Sequence, residues 1–78
     1  MAEDFATQVV KRFTGEIASR LNKASALAAT AQTLNSQGLA EHGFETLMGI
    51  ETLIFEATAL LNAASIVNRS ENETQRTG

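Results

Sequence analysis

The chain contains no cysteine, proline, tryptophan or tyrosine. Without cysteine it cannot be a disulfide-stapled module or a cysteine-ligated zinc finger or ribbon. Basic charge is also scarce: six Lys+Arg stand against nine Asp+Glu, for a net charge of −3. A nucleic-acid-binding domain ordinarily carries a basic excess, so this balance argues against one. At 78 residues the chain is too short for a two-domain enzyme. Long uninterrupted apolar runs are missing as well. The greasiest stretch, Leu47 to Val67, is broken by Glu51, Glu56 and Asn62, and carboxylates in mid-span argue against a transmembrane helix. Met1-Ala2-Glu3-Asp4-Phe5 is acidic where a signal peptide is basic. A cytoplasmic protein with no membrane partner is the expectation.

What remains is mostly alanine and aliphatic side chains. Thirteen Ala, eight Leu, four Ile and four Phe dominate the apolar fraction of 44%. Alanine favours helix and adds little burial area. A domain this small rarely obtains more than a few kcal/mol from its own core. Disulfides, metals or oligomerisation are the usual remedies. With no cysteine and no visible metal cluster, self-association is expected.

The pattern predicts an all-α helical hairpin covering 1–68 and a disordered tail over 69–78. In helix 1, from about Glu3 to about Gln37, the apolar positions Phe5, Val9, Phe13, Ile17, Leu21, Ala24, Leu27, Ala28, Ala31 and Leu34 recur in steps of three or four. Glu3 and Asp4 fall in its first turn, where negative charge suits the helix dipole. Gly15 is a possible break, but the apolar stripe crosses it without a change of phase, which favours one rod. Gly38 fits the left-handed position past the helix end, with Leu39 folding back toward Leu34 in a Schellman motif. Helix 2 begins between Leu39 and Phe44 and runs to about Val67 or Asn68. Three of its heptad rows are apolar: Leu47/Ile54/Leu61, Ile50/Ala57/Ala64 and Leu53/Leu60/Val67. That is the width of a bundle helix. Met48 and Phe55 lie just outside and widen the greasy surface beyond what one partner helix covers. With the turn centred near residues 39–40, residue i is expected opposite about 80 − i, placing Arg20 against Leu60 and Lys23 against Ala57.

Chemistry-bearing constellations are sparse. The single histidine gives His42-Gly43-Phe44-Glu45, the reverse of the Glu-x-x-His order of di-iron bundles. No Lys or Arg lies between Ala24 and Asn68 to assist a phosphorylated histidine. Neither a nucleophile elbow nor a glycine-rich phosphate loop occurs. Neither a metal, a cofactor nor enzymatic activity is implied. Arg12, Arg20 and Lys23 share one face of helix 1 as a candidate basic strip. Glu16 lies within it and pairs favourably with Arg20 at i,i+4, and no aromatics interleave for base stacking; a solvated face with one ion pair accounts for it. From Ala24 to Ala40 no residue is charged, which suits a surface partly covered by a partner.

These observations point to a non-enzymatic hairpin that self-associates and works through protein–protein contact, as regulatory adaptors, co-chaperones and inhibitors do. The expected assembly is an antiparallel homodimeric four-helix bundle. Its candidate interface is Leu47, Met48, Ile54, Phe55 and Leu61. The rival readings are a nucleic-acid-binding hairpin dimer using the basic strip and a bundle holding a small ligand.

Overall fold

The computed structural model describes residues 4–77, with side-chain surroundings for residues 4–70. Two helices account for it: α1, Phe5–Ser36, and α2, Ala40–Thr77. They fold back on each other as an antiparallel hairpin.

Asp4 starts α1. Its backbone is extended (φ −70°, ψ 166°) and its carboxylate accepts the Thr7 N–H at 2.7 Å. This is an N-cap contact, satisfying a donor that has no partner within the helix. Asp4 therefore caps the helix instead of lying in its first turn; the expected start at Glu3 lies outside the described residues. The helix then passes through Gly15 unbroken.

At the other end Gly38 adopts φ 78°. Leu39 N–H reaches back to Leu34 C=O at 2.9 Å and Gly38 N–H to Asn35 C=O at 3.1 Å. These are the two hydrogen bonds of the expected Schellman motif. The chain wastes nothing on the turn: the Leu39 carbonyl already accepts the Gly43 N–H of α2 at 2.9 Å. Glu41 sits in the first turn of α2, at its positive end. Helix α2 continues past Asn68 to Thr77. No Gly or Pro lies between Asn68 and Thr77, and Glu, Gln and Arg are good helix formers, so the backbone has no local reason to stop where the apolar pattern does.

Burial identifies the seam between the helices. On α1 it follows Val10, Phe13, Ile17, Arg20, Ala24, Leu27, Ala31 and Leu34; on α2 it follows Gly43, Thr46, Ile50, Leu53, Ala57, Leu60, Ala64 and Val67. Steps alternate three and four on both, the spacing of a two-helix coiled-coil seam. Four members of the expected helix 1 stripe lie off it: Phe5, Leu21 and Ala28 are exposed and Val9 only flanks it, while Val10 and Arg20 occupy seam positions. The row Leu47/Ile54/Leu61 also lies outside.

The register differs from expectation by one helical turn. Arg20 reaches Glu56, and a Cβ on Gly49 would meet the Leu27 side chain at 3.4 Å. Residue i thus faces about 76 − i, not 80 − i. The tight turn explains the shift, since α2 starts at Ala40 and the hairpin pivots on Gly38. Gly43 helps to hold the register. A Cβ there would overlap the Asn35 side chain and stand 3.1 Å from the Ala31 carbonyl oxygen. Glycine lets α2 approach α1 this closely beside the turn without displacing either neighbour.

The hairpin measures 61 × 23 × 12 Å. Its thinnest dimension is the ~10–12 Å diameter of a single helix. Among the described residues the buried apolar side chains are Ala24, Ala31 and Ala57. Alanine layers draw the two backbones together and bury little area.

Candidate interaction surface

The seam occupies two of α2's apolar heptad rows, and the remainder faces outward. Leu47, Met48 and Ile54 are 42–47% exposed, Leu61 57%, Phe44 62% and Phe55 74%. None of the five residues of the candidate interface therefore occupies a seam position. Leu47, Ile54 and Leu61 flank the seam on one side, and Met48 and Phe55 continue around to the back of α2. The α1 residue level with Ile54 on the same side is Leu21, itself exposed. Ile17, Leu21, Ile54, Ala57, Thr58 and Leu61 line one shallow cleft of about 180 Å³ between the helices. A run of large apolar side chains at helical spacing is thus left uncovered by the hairpin's own packing.

The opposite edge is polar. Arg20 is held by two carboxylates, with Nη1 2.8 Å from Glu16 Oε2 and Nε 3.0 Å from Glu56 Oε1. Its side chain is only 27% exposed although the site is a core position of the heptad. The hydrogen bonds to Glu16 and Glu56 raise the Arg20 pKa. The hydrogen bond from Arg20, joined by the charges of Arg20, Arg12 and Lys23, holds the Glu16 carboxyl below its ordinary range. The basic strip is therefore compensated from within. Arg20 is committed across the hairpin, and Arg12 and Lys23 stand around Glu16. The bridge to Glu56 could not be read from a single helix, because its partner lies 36 residues away.

In the charge-free stretch of α1 several hydroxyls bond to their own helix. Thr30, Thr33 and Ser36 donate their hydroxyl protons to the carbonyls of Ala26, Ala29 and Gln32. Such back-bonding turns polar side chains toward their own helix and leaves the face smooth.

His42 Nδ1 lies 3.8 Å from Glu45 Oε2, both side chains being well exposed. No group of three or more His, Cys, Asp or Glu placed to hold a metal occurs among the described residues. By length and composition, the Ala40–Ser70 part of α2 holds an 18-residue window apolar enough to cross a membrane, with a mean hydropathy of 1.5. Comparison of the chain with protein families, with characterised proteins and with solved structures finds no match.

Proposed function

We propose that this chain is a non-enzymatic helical module that self-associates as an antiparallel homodimeric four-helix bundle and acts by binding another protein. The observation that carries the reading is the single-layer hairpin with a second apolar face. Domains are built from two packed layers around a core, and this plate, 12 Å thick, has one. Its accessible surface is 5905 Å², against about 4,600 Å² for a compact monomer of its 8.3 kDa mass. Stacking a second hairpin on the Leu47/Ile54/Leu61 side covers part of that excess and supplies the missing layer.

Met48 and Phe55 lie about a quarter-turn round α2 from that side. Beside the dimer contact they form a rim available to an unrelated partner of the kind adaptors, co-chaperones and inhibitors engage. The reading keeps the protein in the cytoplasm and off membranes. The Ala40–Ser70 stretch contains Glu41, Glu45, Glu51 and Glu56, and its apolar residues match the demands of a protein interface. Light scattering at micromolar concentration tests self-association, with a monomer as the defeating result. Affinity capture from the source cell, run in parallel with a Phe55→Glu variant, tests the rim. A partner retained equally by both proteins would remove Phe55 from the account.

A further inference from the structure

The structure assigns a place to the two-fold axis of that pair: we infer that it passes through the level shared by Leu21 and Ile54, so that α2 lies antiparallel on α2 of a second copy and α1 on its α1. This rests on the self-association read above and goes beyond it by fixing which residues meet. Leu21 and Ile54 line the same cleft and stand at one level in the observed register. They are the large apolar side chains nearest the middle of the uncovered face on each helix. Leu47 and Leu61 lie seven residues to either side of Ile54, about 10 Å each way. With the axis at Ile54, each Leu47 is level with Leu61 of the other copy. The four side chains Leu21 and Ile54 of both copies then form one central layer. Beside Leu21, helix α1 offers Ala18, Ser25 and Ala28, all exposed and small enough to admit a neighbouring backbone.

Charge selects this arrangement over its alternative. Face-to-face hairpins can stack with turns at opposite ends, placing like helices together, or with turns at the same end, placing α1 on α2. In the first, Glu41 and Glu45 at the turn are level with the open end of the second copy, where acidic and basic residues are nearly balanced. In the second, each acidic turn meets the other's acidic turn, so that like charges oppose it. Exposed pairs contribute only about 0–1 kcal/mol each, enough to set orientation while the apolar rows supply affinity. The row from Leu47 to Leu61 is about 21 Å long and the plate is 23 Å wide. That is about 480 Å² per protomer, the size of a weak, reversible interface.

The absence of cysteine makes the test direct. Ile54→Cys and Leu21→Cys, each alone, should form covalent dimers as the main product of mild oxidation, because each meets its own copy at the axis. Leu47→Cys alone and Leu61→Cys alone should stay uncoupled, while their mixture cross-links. Ile54 and Leu21 are exposed in the hairpin, so both variants should keep wild-type helicity by circular dichroism. A sedimenting dimer that cross-links only when Leu21→Cys is mixed with Ile54→Cys overturns the axis and leaves self-association standing. A wild-type monomer overturns the self-association itself.

Discussion

Leu60 and Leu61 are neighbours in sequence and belong to different surfaces, so truncating each in turn separates the intrachain seam from the outer face. Leu60 sits in the seam, partly buried against α1. Leu60→Ala removes three carbons there and should cost about 2–3 kcal/mol, the lower end of the range for buried leucines. It should do so at every protein concentration. Leu61 is 57% exposed in the hairpin. Fully burying a leucine contributes about 1.5–3 kcal/mol, so the part of Leu61 already covered accounts for only about 1 kcal/mol. The exposed remainder, about 1.4 kcal/mol per protomer, counts only where a second copy covers it. Two such losses per dimer come to about 3 kcal/mol, or roughly a hundredfold weaker self-association. Urea melts followed by circular dichroism at two concentrations read the first effect, and sedimentation equilibrium reads the second. If Leu61→Ala leaves self-association unchanged while the wild type is dimeric, the outer row is not the interface. If it destabilises more than Leu60→Ala in a protein that remains monomeric, the seam is misassigned.

Four further outcomes follow from the hairpin. Gly15→Ala, where an added Cβ meets nothing within 4 Å, should stabilise by about 0.5–1 kcal/mol. Gly43→Ala should destabilise by about 1 kcal/mol despite the same gain in helix propensity, because the Ala31 carbonyl and Asn35 must move; thermal melts giving both changes the same sign would refute the close approach at the turn. Asp4 has its pKa lowered from the ordinary 3.8 by the Thr7 backbone hydrogen bond. Its contribution is therefore full above that value and lost as pH falls through the lower folded one. Asp4→Asn should keep the cap and flatten this part of the acid limb in melts taken through the carboxylate range. Truncation after Arg69 removes no large apolar side chain, so the shortened chain should retain a cooperative thermal transition, and its loss would show that the C-terminal turns of α2 contribute to folding.

Local features were legible in the sequence, and the choice of seam was not. The helix end at Gly38 could be read because a Schellman motif depends on a few adjacent residues and a left-handed glycine. Continuity through Gly15 could be read because the apolar phase is unchanged across it. The seam depends on a comparison that one helix cannot supply. All three heptad rows of α2 are apolar, and the two chosen contain Gly43, Ala57 and Ala64, whose small size allows close backbone approach. The larger side chains of the Leu47/Ile54/Leu61 row are left outside. The register escaped for a related reason. One turn of helix separates the pairing of Arg20 with Leu60 from its observed pairing with Glu56, and both satisfy the apolar pattern about equally well. The tight pivot at Gly38, the cross-helix ion pair and the glycine fit at position 43 select between them. Among the candidate site residues, Met48 and Phe55 were legible as surplus apolar surface. The commitment of Arg20 to Glu56 required the fold.

The central claim is that a second copy of this chain covers the apolar side of α2. Sedimentation equilibrium of the unaltered protein, across low to high micromolar concentration, tests it most directly. The account predicts a species of twice the 8.3 kDa chain mass, dissociating reversibly on dilution and weakened by Leu61→Ala. A single species at the chain mass throughout, with Leu21, Ile54 and Leu61 still facing solvent, would contradict it.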